Sequence, residues 1–273
     1  MSPWFYVNGK YVRQDEALIP IDNTGINRAF GIFDLFRTRD TKPTFFDDYL
    51  NRFDRSQQFL NLSKPVNVSS IQEIVSELQN KNNFQHSTFK LLLLGDGPDS
   101  APSFDPHFSV LNIPFDPGNV PSSINVITYP YVREHALIKS LNYFTSFSLQ
   151  QQKFKAKASE VIFHKEDIVS EASRSNLFFI KDGVLFTPEK NILHGITRKH
   201  VIASAKEILT VEVGDYTLSN LKAADEAFLT STTKEVMPIT AIDGIEVGTG
   251  KSSAITHRIA KNFRDYLMEL APS

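Results

Sequence analysis

Hydrophobic and polar positions in the first half of the chain follow two different periods. "FYVNGKYV" (residues 5–12) alternates around an Asn-Gly pair, which predicts a β-hairpin. "GIFDLFRTRDTKPTFF" (31–46) predicts a second strand pair around a Thr-Lys-Pro turn, and "TFKLLLLG" (88–95) predicts a further strand. Apolar residues at helical spacing in "DDYLNRFDRSQQFLNL" (47–62) and "SSIQEIVSELQNK" (69–81) predict two helices. This half is therefore expected to be a small α/β domain.

The second half alternates strand and helix patterns over a longer span. Asp182-Gly183 favours a tight hairpin, because both positions tolerate positive φ angles. The predicted strands are "INVITYPYV" (124–132), "EVIFHK" (160–165), the two strands of that hairpin and "EAFLTST" (226–232). The predicted helices are "LNYFTSFSLQQQKFKAKA" (141–158), "TRKHVIASAKEIL" (197–209) and "AITHRIAKNFRDYLMEL" (254–270).

Proline and glycine separate the two halves. "GDGPDSAPSFDPH" (95–107) predicts a long loop, and "DPGNVPSS" (116–123) predicts an interdomain linker, since neither residue type continues regular structure easily. The expected domains are therefore a small N-terminal α/β domain over 1–115, the linker 116–123, and a larger domain over 124–273.

Composition narrows the functional classes. The chain has 273 residues, 41% hydrophobic and 22% charged, and a formal net charge of −2, so no basic patch for nucleic acid is expected. With no cysteine and no closely spaced histidine pair, disulfides and a thiolate or histidine metal site are not expected either. No apolar run is long enough for a bilayer, and the N-terminus lacks a signal-peptide pattern. We expect a cytoplasmic globular protein.

One carboxylate has an unusual setting. Glu171 lies in "EASRSNLFF", shortly before a strand whose alternating residues should be buried, with Ser173, Ser175 and Asn176 around it. A buried carboxylate is costly unless it meets a cation or several hydrogen-bond donors. Glu171 is therefore expected to face a cation.

A lysine and two groups of phosphate-binding type suggest a ligand. Lys139 follows an apolar Ala-Leu-Ile stretch, where desolvation can lower the pKa of an amine and make it nucleophilic; a surface lysine is the ordinary alternative. Thr197 in "HGITRKH" is an N-cap candidate at a helix start that could hold a phosphate, although ordinary capping gives the same pattern. Ser231, Thr232 and Thr233 end a strand, where hydroxyls bind phosphate or simply cap turns. Pyridoxal phosphate has an aldehyde for Lys139 and a phosphate for the two hydroxyl-bearing segments. Its protonated ring nitrogen is a cation for Glu171.

Four segments in this order, "LIKSLNY", "VSEASRSNLFFIKDGVLFTP", "ILHGITR" and "FLTSTTKEVMPI", resemble the fold-type IV (class IV) aminotransferases. That family includes D-amino acid transaminases, branched-chain aminotransferases and aminodeoxychorismate lyase. The likeness extends through "FYVNGKYV", "GIFDLFR" and "YLNRFDRSQQFL", so it covers nearly the whole chain. It implies a two-domain α/β fold with a C-terminal pseudo-barrel, and a homodimer with its site at the domain boundary and the dimer face.

The resemblance also implies residue roles. Lys139 would form the Schiff base with pyridoxal 5'-phosphate, and Glu171 would pair with the ring nitrogen. Arg52 would bind the phosphate through the family's His-x-x-Arg pattern, in which Tyr49 replaces the histidine; a surface pair with Asp48 is the alternative. The other implied cofactor contacts are Tyr143 at the ring hydroxyl, Leu193 under the ring, Ile196, Thr197, Ser231 and Thr232 at the phosphate, and Ser175 and Asn176 in support.

The substrate carboxylate is where the chain departs from the family pattern. D-amino acid transaminases hold it with an Arg-x-His pair in the loop after the "LLLLG"-like strand, but the loop 95–107 has no arginine and only His107. Arg28 in "INRAFGIFD", reaching over from a neighbouring subunit, or Lys90, which would open the predicted strand, could take this role. A solvated surface cation is the alternative for both.

Three functions remain open on this basis. The resemblance favours a transaminase acting on an amino acid, with a D-amino acid preferred, and a 2-oxo acid such as 2-oxoglutarate or pyruvate. An aminodeoxychorismate-type lyase and an L-branched-chain aminotransferase are the alternatives. A protein that binds the cofactor without catalysis is disfavoured, because Lys139, Glu171 and Arg52 are retained together.

Overall fold

A computed structural model describes residues 2–98, 100–118, 121–250 and 254–270 of the chain. The chain divides into two compact units, residues 1–118 with 138–142, and residues 119–137 with 143–273. The predicted linker 116–123 lies partly outside the described residues, and the predicted domain limits remain a prediction. Within the described residues, no helix combines the length and apolar character needed to cross a membrane.

The first unit is built on a six-stranded antiparallel sheet in the order β2-β1-β6-β5-β3-β4. Its strands are β1 Trp4–Val7, β2 Lys10–Arg13, β3 Gly31–Arg39, β4 Lys42–Pro43, β5 Ser87–Asp96 and β6 Asp105–Pro114. Its helices are α1 Thr24–Asn27, α2 Phe46–Gln57 and α3 Val68–Asn82. The predicted Asn-Gly hairpin is confirmed, with φ angles of 44° at Asn8 and 97° at Gly9. The second turn, predicted at Thr-Lys-Pro (41–43), lies one residue earlier at Asp40-Thr41, and Lys42–Pro43 form β4.

The two faces of this first sheet differ, and the difference decides where its charged residues lie. Burial alternates along β3 and β5, as expected when successive side chains point to opposite faces. Phe36 and Phe89 are fully buried and stack with ring centres 5.2 Å apart, on the face to which α2 packs. Phe33 and Lys90 are half-buried and belong to the opposite face.

The second unit is built on a nine-stranded sheet in the order β12-β11-β10-β13-β14-β7-β8-β9, with β15 paired to β14. Its strands are β7 Ile124–Pro130, β8 Glu160–Lys165, β9 Ile168–Ala172, β10 Asn176–Lys181, β11 Val184–Pro188, β12 Val211–Gly214, β13 Glu226–Ser231, β14 Glu235–Ile242 and β15 Ile245–Glu246. Its helices are α4 Phe144–Ser148, α5 Gln150–Lys155, α6 Ile196–Ala205, α7 Leu218–Lys222 and α8 Ala254–Leu270. The predicted fold class, an α/β protein with a small N-terminal part and a larger half-barrel part, is confirmed.

The sheet of the second unit has buried side chains on both faces of its central strands. Leu177 and Phe179 of β10 join the main apolar cluster on one face, while Phe178 stacks on Phe228 with ring centres 4.9 Å apart. Helices α6 and α8 pack against one another and against β13. A sheet that is packed on both faces is a rigid scaffold, so it fixes the positions of the polar residues at the ends of its strands.

Candidate active site

Glu171 lies at the end of β9 and is buried, as expected from the sequence. Its Oε2 accepts a hydrogen bond of 2.9 Å from the backbone N–H of Leu193, and its Oε1 lies 3.2 Å from Nε of Arg133. The expected cation is therefore present within the protein itself. Arg133 had no part in the sequence-based prediction, whereas the role of Glu171 toward a cofactor ring nitrogen remains a prediction.

Arg133 connects three elements of the second unit. Its Nη2 donates to the carbonyl oxygen of Ser173 at 3.0 Å, and its Nη1 donates to the Tyr143 hydroxyl at 3.4 Å. Burial alone would lower the pKa of the Arg133 guanidinium, but Glu171 and Tyr143 outweigh it and raise the pKa above its usual value. Arg133 therefore stays charged and fixes both Glu171 and Tyr143 in place. The available sequence signal was a single arginine between the end of a strand and Lys139.

The loop before α6 is tied to the same carboxylate. Asn176 Nδ2 donates to the carbonyl oxygen of Leu193 at 2.7 Å, while the Leu193 N–H binds Glu171. A side chain at Gly195 would place its Cβ 2.0 Å from Asn176 Oδ1, so any other residue would force Asn176 or the helix start to move. The structure thus brings Glu171, Asn176 and Leu193 together directly.

Helix α6 begins immediately after this loop. Its N-cap is Gly195, without a side-chain cap, so the expectation that Thr197 caps the helix was wrong; Thr197 lies in the first turn. Arg198 anchors that turn, because its Nη2 donates to the Pro188 carbonyl at 2.8 Å and to Glu189 at 2.7 Å. The first N–H groups of a helix without a side-chain cap are a suitable site for an anion.

The hydroxyl residues at the end of β13 lie beside this region in the sheet. Asn176 pairs with Thr230 in the β10–β13 ladder, so Ser231 and Thr232 follow directly after that pair. The Ser231 hydroxyl accepts a hydrogen bond from the Lys234 N–H at 3.2 Å, and Lys234 Nζ donates to the Ser175 hydroxyl at 3.1 Å. Ser175 and Ser231 are therefore held on either side of one lysine.

Lys139 lies in the first unit, in a short segment that pairs with β3. The Phe33 N–H donates to the Lys139 carbonyl at 2.9 Å, and the Leu141 N–H donates to the Gly31 carbonyl at 3.0 Å. The amine of Lys139 lies 4.7 Å from the centre of the Phe33 ring. Lys139 thus has a fixed backbone and a half-buried side chain over an aromatic face.

Lys90 approaches the same ring. It lies within β5 rather than at the start of the strand, and its Nζ is 5.2 Å from the centre of the Phe33 ring. Burial lowers the pKa of its amine. Arg28, the other carboxylate candidate, follows α1 as its C-cap and is exposed in the single chain. The structure therefore places Lys90, but not Arg28, on the same aromatic ring as Lys139.

Arg52 is buried rather than at the helix surface. Its Nε and Nη2 donate to the two carboxylate oxygens of Asp34 at 2.9 Å and 2.6 Å. Asp34 neighbours Phe33 in β3, so its side chain points to the opposite face of the sheet, toward α2. The contact of Arg52 with a phosphate remains a prediction.

The donor set of the second unit fits pyridoxal phosphate. Glu171 is an ionisable acceptor for a ring nitrogen, Tyr143 offers a hydroxyl for a ring oxygen, and the start of α6 offers N–H groups for a phosphate. Lys139 in the first unit is the amine that such a cofactor needs.

Comparison with known proteins agrees with this chemistry. The family described as amino-transferase class IV matches residues 31–242. The D-alanine aminotransferase of Staphylococcus haemolyticus is 30% identical over 275 residues, covering 96% of this chain and 97% of that protein. The putative branched-chain-amino-acid aminotransferase of Methanocaldococcus jannaschii is 30% identical over 273 residues, covering 95% of each.

Solved structures extend the similarity to the whole fold. The T.th. branched-chain amino acid aminotransferase, complexed with N-(5'-phosphopyridoxyl)-L-glutamate, has a TM-score of 0.90 at 25% identity and covers 99% of this chain and 96% of its own. The branched-chain aminotransferase of Thermoproteus uzoniensis, solved with norvaline, gives the same TM-score and identity. The chain therefore belongs to the class IV aminotransferases, enzymes of fold type IV that use pyridoxal phosphate.

Proposed function

We propose that this enzyme transfers the amino group between a D-amino acid and a 2-oxo acid such as 2-oxoglutarate or pyruvate. The observation that supports carboxylate substrates best is the shared contact of Lys139 and Lys90 with Phe33, with both amines within 5.2 Å of the ring centre. A second cation at the same aromatic ring as the reactive amine suits a substrate that carries a carboxylate. The preference for D-amino acids is supported by the full-length similarity to D-alanine aminotransferases.

The roles proposed for the chain's residues follow from their chemistry. When bound, pyridoxal phosphate supplies an electron-withdrawing ring that stabilises negative charge at the substrate's Cα. Lys139 Nζ would take the proton from the substrate's Cα as a general base and later give it up as a general acid. Glu171 would keep the ring nitrogen protonated, and Tyr143 would donate toward the ring oxygen. These groups do not need to reorganise, because Arg133 already holds both in position.

The phosphate is proposed to bind at the start of α6. The N–H groups of Ile196 and Thr197 and the hydroxyls of Ser231 and Thr232 would contact its oxygens, with Leu193 under the ring. Arg52 would add a guanidinium contact while Asp34 fixes its direction. Ser175 and Asn176 would support these groups through Lys234 and Leu193.

An L-branched-chain aminotransferase is the second candidate function. The relative from Methanocaldococcus jannaschii is as similar in sequence as the D-alanine aminotransferases, and branched-chain aminotransferases share the fold at a TM-score of 0.90. Both candidates use the same chemistry at Lys139. They differ only in how the substrate's carboxylate and side chain are placed.

A substrate panel separates the candidates. The loaded enzyme would be incubated with D-alanine, L-leucine or L-valine in the presence of 2-oxoglutarate, and separately with aminodeoxychorismate. We expect D-alanine to be the best amino donor and no release of pyruvate from aminodeoxychorismate. Faster turnover of L-leucine would replace the proposal with the branched-chain function, and release of pyruvate would replace it with the lyase.

Lys139→Ala tests the proposed chemistry in the same assays. Turnover and the yellow absorbance of the loaded enzyme should both be lost, because the covalent anchor and the general base disappear together. Lys10→Ala, at an exposed lysine of β2, is the matched control and should behave like the wild type. Wild-type turnover in Lys139→Ala would assign the chemistry to another lysine.

A further inference from the structure

A pocket of the second unit lies apart from the residues assigned to the cofactor. It has a volume of about 560 Å³ and lies between α4–α5 and the turn after β9. We call it the Lys153 pocket; its lining includes Ser146, Phe147, Lys153, Ser159, Ser173 and Arg174. Pockets of a few hundred Å³ are the size that small molecules occupy.

The charges around this pocket are unbalanced. Glu160, at the start of β8, is fully buried; Lys234 Nζ lies 3.0 Å from its Oε2 and Arg174 Nε lies 3.7 Å from the same oxygen. The Ser173 hydroxyl also donates to Glu160. Burial would raise the pKa of the Glu160 carboxyl, but Lys234, Ser173 and Arg174 outweigh it and the pKa lies below its usual value. With Lys153 close by, one carboxylate faces three cations.

Lys153 is the cation that this cluster leaves without a direct contact. Only 6% of the residue is exposed, and its amine makes no hydrogen bond or ion pair with any residue in the described part of the chain. Burial lowers the pKa of that amine, and Arg174 and Lys234 lower it further, while Glu160 raises it. Two of the charged groups that act on this amine are themselves cations, so a ligand that supplies an anion at the pocket would be stabilised here.

We propose that the Lys153 pocket binds an oxyanion, a phosphate or carboxylate group, through Lys153 and Arg174, with the hydroxyls of Ser146 and Ser159 as further donors. Two cations and several hydroxyl groups are the donor set that such oxygens require. Phe147 gives the pocket an apolar side for the remainder of an organic anion. The inference does not depend on the proposed transaminase function, because the cofactor's phosphate is assigned to the start of α6.

The ligand would also act on the turn that follows Glu171. Ser173 lies two residues after Glu171, and its carbonyl accepts the hydrogen bond from Arg133 at 3.0 Å. Because Ser173 and Arg174 line the pocket, a bound anion would order the turn from which Glu171 and Asn176 extend on either side. Occupancy is therefore expected to stabilise the loaded enzyme.

The test is calorimetric titration of the loaded enzyme with inorganic phosphate and, separately, with succinate, at constant ionic strength adjusted with chloride. Loading with pyridoxal phosphate keeps the cofactor's phosphate site occupied. Saturable binding of one or both ions is expected, and the comparison of the two shows which oxyanion the pocket prefers. Lys153→Met should weaken the binding of the preferred ion by about tenfold or more.

Two further variants make the result specific. Arg174→Gln, at a side chain that is 52% exposed, should also weaken binding, and Lys234 and Ser173 remain in it as partners of Glu160. Lys155→Met, on the exposed side of the same helix, is the matched control and should bind like the wild type. The proposal is overturned if neither ion binds saturably, or if all variants bind equally. It is also overturned if Lys153→Met changes the oligomeric state while Lys155→Met does not, since the pocket would then belong to a contact between copies.

Discussion

Glu171 and Arg133 form a buried ion pair whose two members are costly to separate. Neither charge is solvated by water, so each is compensated by the opposite charge of its partner. Each side chain also makes hydrogen bonds to backbone groups. Removing one member leaves the other uncompensated, whereas neutralising both is far less harmful. This asymmetry makes the pair testable without any catalytic assay.

We predict that Arg133→Met lowers the free energy of unfolding of the cofactor-free protein by about 3–5 kcal/mol at pH 7. Glu171→Gln should restore most of that loss when it is added to Arg133→Met, because the buried charge then disappears. Denaturant unfolding of the wild type, both single variants and the double variant measures the coupling. Costs that simply add would show that the two side chains do not interact.

Glu171→Gln in the loaded enzyme tests the other role of this carboxylate. The amide keeps the shape and loses the charge, so the cofactor should still bind while the turnover rate falls by orders of magnitude. Equilibrium dialysis of the cofactor and single-turnover absorbance report the two quantities separately. An unchanged rate would leave Glu171 with a structural role only.

At the scale of elements, the start of α6 depends on one close approach. The φ of Gly195 is −64°, which any residue adopts, so its backbone conformation does not require glycine. The requirement is the 2.0 Å separation that a Cβ would have from Asn176 Oδ1. The start of helix α6 can therefore lie this close to strand β10 because residue 195 has no side chain.

Gly195→Ala is predicted to destabilise the protein by about 1–3 kcal/mol and to weaken cofactor binding, because the helix start must move away from Asn176. Adding Asn176→Ala to this variant removes the obstructing oxygen and should recover part of both losses, although the hydrogen bond to Leu193 is then missing. Thermal unfolding and cofactor titration of Gly195→Ala, of Asn176→Ala alone and of the double variant test this. No recovery in the double variant would exclude the proposed clash.

Elements with strong local signals were predictable from the sequence. Asp182-Gly183 forms the expected hairpin, with φ angles of 49° and 77°, and α8 has the predicted bounds. The predicted helix over 141–158 instead forms two short helices separated at Leu149, without a proline or glycine to mark the break. Strand β14 was missed because Pro238 is untypical of a strand in the middle of a sheet.

In the candidate site, the burial of Glu171 beside a cation was predictable from the sequence, whereas contacts between distant segments were not. Glu171 was expected to be buried beside a cation because its neighbours in the chain indicate a buried strand. Arg133 was not identified, because its contacts with Ser173 and Glu171 join segments about 40 residues apart. The pairing of Arg52 with Asp34 was missed for the same reason.

At the scale of the whole molecule, the loop before Arg28 has apolar side chains in water. Leu18 and Ile21 are 76% and 86% exposed, and the loop is nevertheless anchored by the hydrogen bond of 2.9 Å from the Thr24 N–H to Asp96. An ordered loop with exposed aliphatic residues suits contact with a second copy of the chain. We therefore predict a homodimer by light scattering, and Leu18→Ser with Ile21→Ser should shift it toward the monomer.

Arg28 gives the sharpest test of such a dimer. If Arg28 holds the carboxylate of a substrate bound to the neighbouring chain, Arg28→Ile should weaken the binding of a D-amino acid by about 2–5 kcal/mol. The affinity for the cofactor should not change. The binding of a carboxylate-free amine should not be weakened; equal losses for both ligands would favour Lys90.

Arg28→Ile and Lys139→Ala would then be inactive alone at low substrate concentration, but denaturing and refolding them together should form mixed dimers with one intact site. Activity that returns only in the mixture would show that Arg28 acts across the dimer. If none returns although mixed dimers form, Arg28 serves its own chain, because each site would then lack one of the two groups.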